Sequence, residues 1–230
     1  MSLQAVFFDF DGIVVNSEPL HYRAFARVFE PEGLAFSWEI YCGVYLGFDD
    51  RDVVRERFRE AGRTLDEATM RRLMQAKASA FLRLIEEEGA EAYPGVVELI
   101  RALSRRVPLA ICSGALRSDI EPILAKLGIA ACFHDMVTAD QVQVSKPDPE
   151  SYREGFSRIS RKFPAEVTVP ARCLAIEDTP AGIAAARGAG LRVLAVTNTY
   201  EADELTDADW VVSSLAEVDP DRLHQLMTHR

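Results

Sequence analysis

Four apolar, strand-like runs punctuate the chain: Ala5–Phe8, Leu109–Cys112, Arg172–Ile176 and Val193–Val196. Each gives way to polar or glycine-bearing residues and then to a helical pattern, and Trp210–Val212 forms a shorter fifth run. Uninterrupted apolar strands alternating with helices predict a parallel sheet covered on both faces, a doubly wound, Rossmann-like α/β fold. Ligands of such sheets bind beyond the carboxyl ends of the strands, where Asp9, Ser113 and Glu177-Asp178 fall.

The helices between the runs carry recognisable ends. Pro94-Gly95 opens Val96–Arg105, whose Val97, Ile100, Ala102 and Leu103 suit a core-facing stripe. Ser118 is placed to cap Asp119–Leu127, with Gly128 to end it. Thr179-Pro180 precedes Ala181–Ala189; Pro180 suits a first helical position and Gly190 a stop.

Residues 16–92 break the alternation. They hold no clear strand pattern and predict helices over His21–Glu30, Asp50–Ala61 and Leu65–Glu88. The economical reading is an α-helical cap domain of residues 16–92, inserted into an α/β core of residues 1–15 and 93–230 and covering its strand-end site. The chain crosses between them near Val15–Glu18 and Gly89–Tyr93.

Composition narrows the function classes. A chain of 230 residues with 48% hydrophobic content can bury a proper core. Its net charge of −10 disfavours nucleic acid and anionic membrane as partners, since both reward Lys/Arg clusters. A phosphate-bearing substrate would therefore need a local positive site, with a metal ion. No apolar run approaches the ~20 residues of a membrane span. Met1-Ser2-Leu3-Gln4 leads into a first strand rather than a signal peptide. Cys42, Cys112, Cys132 and Cys173 show no C-x-x-C spacing, which with the rest suggests a reduced, cytoplasmic protein. No heptad seam marks an oligomer, which is consistent with a monomer.

Several short clusters carry candidate chemistry. Asp9 and Asp11, two apart at a strand end before Gly12, place two carboxylates in one cleft, at a cost unless a cation or proton is shared. Alone, such a pair equally suits a solvated loop. Ser113-Gly114 at a strand-to-helix turn offers a hydroxyl, backbone N–H groups and close approach for a phosphoryl oxygen. A turn or cap serine is the common alternative. Lys146, between Ser145 and Pro147-Asp148-Pro149, would neutralise a carboxylate and a phosphate together from a stiffened loop, although most lysines are solvated. Glu177-Asp178 end an apolar strand, where burial without a cation is expensive; Mg²⁺ with its preference for oxygen ligands fits them. Taken in order along successive strand ends, these features describe one phosphoryl-transfer site.

At these residues the chain resembles the haloacid dehalogenase superfamily, in its helical-cap, β-phosphoglucomutase-like phosphatase subgroup. The resemblance is carried by Phe8-Asp9-Phe10-Asp11-Gly12 through His21, by Ile111-Cys112-Ser113-Gly114, by Ser145-Lys146-Pro147-Asp148-Pro149, and by Ile176-Glu177-Asp178-Thr179-Pro180-Ala181-Gly182-Ile183. It implies that Asp9 attacks phosphorus to form an aspartyl-phosphate, while Asp11 protonates the leaving oxygen and then activates water. It implies that Ser113 and Lys146 hold the phosphoryl oxygens. Mg²⁺ would be bound by Asp9, the main-chain carbonyl of Asp11 and Asp178, with Glu177 helping.

The cap varies within this family, and by resemblance His21 and the loop Gly43–Asp52 would face the substrate. Arg51 is the only basic residue of that loop, one position displaced from the sugar phosphomutase pattern. That shortage favours a phosphatase for a small phosphorylated metabolite, such as a sugar phosphate, over a phosphomutase that must grip two phosphates. Arg117 is a further candidate for gripping substrate, or else a solvated helix-start arginine. A true dehalogenase would leave Asp11 and Glu177-Asp178 unexplained. A phosphonoacetaldehyde hydrolase needs a cap lysine, and the single one here, Lys77, reads as a surface residue. Outside the family, a signalling receiver or a catalytically silent phospho-ligand module is disfavoured by the Asp-x-Asp spacing and the intact motifs.

Overall fold

A computed structural model describes residues 2–46 and 48–227. The chain divides into two compact units, Met1–Asn16 with Ala92–Arg230, and Ser17–Glu91. Strands β1 (Ala5–Phe8) and β2 (Val15–Asn16) precede the second unit, which holds α1 (Glu18–Phe29), α2 (Trp38–Ile40), α3 (Asp50–Glu60) and α4 (Glu67–Glu88). The chain continues through β3 (Glu91–Ala92), α5 (Val96–Ser104), β4 (Leu109–Cys112), α6 (Arg117–Leu127), β5 (Asp135–Val137) and α7 (Glu150–Lys162). It closes with β6 (Cys173–Glu177), α8 (Pro180–Gly188), β7 (Arg192–Val196), β8 (Trp210–Val212) and α9 (Pro220–Leu226).

The first unit is built on a six-stranded, wholly parallel sheet of order β5-β4-β1-β6-β7-β8. Every residue of β1, β4 and β6 is buried, which is why these strands read as unbroken apolar runs. In the register, Phe8 lies opposite both Ile111 and Ile176. Asp9, Ser113 and Glu177-Asp178 therefore emerge together at the carboxyl end of the three central strands. Helix α7 packs close to the sheet because Gly155 has no side chain; a Cβ there would sit 2.6 Å from Cys112 Sγ.

Element ends shift by a few residues from the pattern read in the sequence, and helix α5 buries Val96, Leu99, Ile100 and Leu103 rather than Val97 and Ala102. Arg172 belongs to the turn before β6, and the strand instead runs on to Glu177. Helix α6 begins at Arg117, not Asp119, because the Leu116 carbonyl already accepts from the Asp119 and Ile120 N–H groups. Ser118 is thus inside the helix and donates to Asp119 Oδ1 at 3.2 Å rather than capping. Strand β5 was not anticipated. It is an edge strand whose Met136 N–H is taken by Asp135 Oδ1 (2.8 Å) and whose Met136 carbonyl accepts from Arg117 (3.0 Å) and Arg158 (3.3 Å). Its backbone edge is satisfied by side chains, a protection against pairing with another chain.

The second unit is helical. Its buried cluster joins Phe25 and Phe29 of α1, Phe36, Tyr41 and Tyr45, Val53, Val54 and Phe58 of α3, and Leu73 of α4. Helix α2 and the π turn Tyr41–Tyr45 that follows were not foreseen; their aromatic-rich segment follows no helical period. Lys77 requires a correction: it is fully buried, not at the surface. It occupies a place in the buried α4 stripe of Leu73, Lys77, Ala80, Phe81, Leu84 and Ile85. Its ammonium donates to Asp50 Oδ2 at 2.5 Å, lies 2.6 Å from His21 Nδ1, and faces the rings of Phe25 and Phe81. An opposite charge and aromatic faces make that burial tolerable. Gly47, in the loop Gly43–Asp52, lies outside the described residues. No described helix is long and apolar enough to cross a membrane.

Candidate active site

The site grows from the ends of β1, β4 and β6. Asp9 follows β1 directly, and its backbone N–H bonds to the Ile176 carbonyl at 3.0 Å, which ties it to β6. Glu177 is the last residue of β6, with Asp178 next; both are buried. Lys146 arrives from the loop before α7. Its ammonium reaches Asp9 Oδ1 at 2.9 Å and Glu177 Oε1 at 2.6 Å, so one lysine holds two carboxylates. Ligand oxygens of Asp9, Glu177 and Asp178 lie within 4.8 Å of one another, a grouping that could hold a metal ion.

Two glycines make this convergence possible. Gly12 has φ of +78°, and a Cβ on it would collide with the Asp178 carboxylate. Gly182, in the first turn of α8, leaves the space taken by the Glu177 carboxylate; any side chain there would overlap it. Thr179 caps that helix by accepting from the Gly182 N–H at 3.0 Å, and Pro180 starts it. The sequence motif thus encodes a seat for the two acids.

Packing three carboxylates around one ammonium shapes their ionisation. Burial raises the Asp9 carboxyl to about 7; Lys146 opposes this, while Glu177 and Asp11 add to it. Asp178 is held well above the carboxylate range by burial, then by Asp9 and Glu177. Burial works against the Lys146 ammonium, but Asp9 and Glu177 outweigh it and keep it charged. Asp178 Oδ1 is buried and has no hydrogen-bond partner among the described residues. An orphaned buried carboxylate oxygen amid excess negative charge fits a hard divalent cation.

The remaining candidates are distributed as follows. Asp11 is half-buried beside this group; its carboxylate is not one of the three that converge, and its backbone bridges to Val15. Ser113 is buried, and its Oγ accepts from the Ala115 N–H at 3.0 Å, which orients the hydroxyl at the β4 end. Gly114 is exposed and has open space where a side chain would stand, so no protein group requires a glycine there. Arg117 is not brought to the acidic group. Its guanidinium is occupied by Glu121 at 3.0 Å and by the Met136 carbonyl at the sheet edge. His21 and Arg51 belong to the second unit: His21 is stacked on Phe81 and set against Lys77, and Arg51 is half-buried in the first turn of α3.

Sequence reasoning missed three polar side chains around the acids. The Tyr152 hydroxyl donates to Glu177 Oε1 at 2.6 Å from within α7. Burial, with Glu177 and Asp9 beside it, holds that phenol well above its ordinary range, so it remains a donor. Thr199 Oγ1, in the loop after β7, donates to Asp178 Oδ2. Asn198 donates to the Gly12 carbonyl at 2.7 Å and steadies the turn after Asp11. A lone Tyr or Thr outside any motif carries no signal of such a role.

A family model for haloacid dehalogenase-like hydrolases matches residues 3–190. Validoxylamine A 7′-phosphate phosphatase of Streptomyces hygroscopicus subsp. limoneus is 30% identical over 213 residues, covering 92% of this chain and 93% of its own. A phosphorylated carbohydrates phosphatase of Thermotoga maritima is 30% identical over 192 residues, 82% of each chain. Among solved structures, that of CbbY from Rhodobacter sphaeroides in complex with phosphate superposes with a TM-score of 0.82 at 26% identity, covering 94% of this chain and 96% of that one.

Proposed function

Because the chain belongs to the haloacid dehalogenase-like hydrolases, we propose that it is a Mg²⁺-dependent phosphatase that hydrolyses a small phosphorylated metabolite, such as a sugar phosphate, through an aspartyl-phosphate intermediate. The observation that carries this reading is the convergence of Asp9, Glu177 and Asp178 around the single ammonium of Lys146. Asp9 and Asp178 would hold the cation with the main-chain carbonyl of Asp11, and Glu177 stands behind them. When bound, the ion supplies charge neutralisation for the phosphoryl oxygens.

The chain's own groups carry the rest. An oxygen of Asp9 attacks phosphorus, forming the Asp9–phosphorus bond as the ester bond to the leaving oxygen breaks. Asp11 gives its proton to that oxygen; as a carboxylate it then takes a proton from water, whose oxygen displaces Asp9 and releases phosphate. Ser113 and Lys146 hold the non-bridging oxygens in line. Lys146 also favours the carboxylate of Asp9 that the attack requires, against the burial that raises it.

A phosphatase fits better than a phosphomutase. The only lysine of the second unit, Lys77, is buried and committed to Asp50, so it supplies no grip for a second phosphate. Two relatives sharing 30% identity are named as phosphatases of phosphorylated compounds. The test is phosphate release from a panel of phosphomonoesters that includes β-glucose 1-phosphate, with Mg²⁺ and with EDTA, alongside Asp9→Asn. We expect metal-dependent release that Asp9→Asn abolishes. Normal release by that variant would overturn the covalent mechanism, and isomerised sugar phosphate without release would replace the phosphatase with a mutase.

A further inference from the structure

The four carboxylate oxygens of Glu177 and Asp178 are shared out unequally. Glu177 Oε1 accepts from both Lys146 and Tyr152, each at 2.6 Å. Glu177 Oε2 accepts from the Asp178 N–H at 3.3 Å and from Thr179 Oγ1 at 3.5 Å, and it rests in the space left by Gly182. Asp178 Oδ2 accepts from Thr199 Oγ1. That leaves Asp178 Oδ1, buried and without a hydrogen-bond partner among the described residues.

The geometry points to Tyr152 and Thr199 as positioning residues that turn this acidic pair so that one oxygen, Asp178 Oδ1, is delivered to the cation. Neither residue belongs to the motifs around Asp9, Ser113, Lys146 or Glu177. Tyr152 is fully buried, and the Lys146 ammonium lies 5.1 Å from the centre of its ring. The phenol and the Lys146 ammonium therefore hold Glu177 Oε1 while the Asp178 N–H and Thr179 Oγ1 hold Oε2, which fixes the orientation of this carboxylate. Thr199 fixes the other torsion: with Oδ2 held, the Asp178 carboxylate presents only Oδ1. Groups that orient metal-binding carboxylates in this way tune affinity even though they do not touch the ion.

The inference rests on the metal-dependent reading above, and its test separates the two. Mg²⁺ binding to the whole protein is measured by titration calorimetry, and thermal stability is measured in EDTA, for the parent, Tyr152→Phe, Thr199→Val and Thr199→Ser. We expect Tyr152→Phe and Thr199→Val each to weaken Mg²⁺ binding ~10-fold or more. Thr199→Ser, which keeps the hydroxyl, should bind as the parent does. Both variants binding within about twofold of the parent, whatever their melting temperatures in EDTA, would overturn the positioning role and leave the phosphatase intact. A parent that binds no Mg²⁺ would overturn both.

Discussion

Each unit of the molecule buries a lysine against carboxylates, and the two arrangements are built to different ends. In the α/β unit, Lys146 faces two carboxylates directly and a third nearby, so negative charge is in excess. In the helical unit, Lys77 faces one carboxylate, Asp50, with His21 and two aromatic faces completing its surroundings. The second group is closer to balance: one ammonium meets one carboxylate, Asp50, and lies against His21 Nδ1. The first carries an excess of carboxylates, and one of its buried oxygens lacks a hydrogen-bond partner among the described residues. Charge balance, rather than the mere presence of buried ionic groups, is what separates a site prepared for a cation from a structural ion pair.

That contrast is sharpened most strongly by substitutions in the first cluster. Asp11→Asn keeps the shape of the side chain and removes only its proton transfer, so turnover of alkyl phosphates should fall ~10²–10⁴-fold. Substrates with a good leaving group, such as aryl phosphates, should lose less in the first step because their leaving oxygen needs no proton. Steady-state kinetics with both classes checks this; near-parental rates on alkyl phosphates would remove Asp11 from its role. Stability, by contrast, should hardly respond, because Asp11 is half-buried and outside the three converging carboxylates.

The balanced cluster should respond in stability instead. Asp50→Asn strips from a fully buried ammonium the carboxylate paired with it, and breaking a buried pair on one side costs about 3–5 kcal/mol. Lys77→Met should cost less, since it leaves behind Asp50, whose side chain keeps 18% of its exposure and can turn to water. Urea unfolding of both variants and of their double mutant measures the coupling. Equal losses for the two single variants, or losses that simply add, would show that Lys77 and Asp50 are not the unit described.

The sequence disclosed the two units unequally, for physical reasons. Strands β1, β4 and β8 were legible to the residue; β1 and β4, buried at every position, leave short apolar runs whose length and polar or glycine-bearing ends mark them as strands. Strand β5 escaped because it is three residues long, starts on an aspartate and is completed by Arg117 and Arg158. Asp9, Lys146, Glu177 and Asp178 each have an ordinary structural alternative when read alone; what drew them together was their order along the chain, with the acids at strand ends and the lysine in the loop before α7. Gly12 and Gly182 were visible as motif members, but the reason for them, carboxylates where a Cβ would be, arises only when the folded chain brings Asp178 and Glu177 against them. Lys77 was misread although its signal was available: its spacing of four from Leu73 and from Phe81 sets it squarely in the buried stripe of α4. Tyr152 and Thr199 left no such signal, since their partners lie 25 and 21 residues away.

Titration distinguishes the units again, with smaller effects. Without metal, Asp9 has its carboxyl raised from 3.8 to about 7, chiefly by burial. A raised carboxyl means that the folded protein holds the proton more tightly than the unfolded chain. Its contribution to stability is full below about pH 4 and is lost as pH rises through 7. In EDTA, unfolding free energy should therefore decline by about 4 kcal/mol across this window, and Mg²⁺ should restore it at pH 8. A flat profile in EDTA, or no gain with Mg²⁺, would contradict the excess of buried negative charge.

The helical unit offers its own titration in alkali, at Tyr45. Tyr45 is fully buried and donates to Glu60 Oε2 at 2.5 Å. Burial first, then the hydrogen bond to Glu60 and its charge, push the phenol up from 10 to about 12, against Arg57. The folded state again holds the proton more tightly, so the stability linked to Tyr45 is complete below pH 10 and disappears as pH approaches 12. Tyr45→Phe removes the hydroxyl, and at pH 9 it should cost about 1 kcal/mol for the lost hydrogen bond. Because the parent loses the same contribution on ionisation, the two unfolding curves should converge as pH is raised. A deficit that stays constant from pH 9 upward would mean that Tyr45 acts through packing alone, and that the polar groups of this unit do not hold its protons.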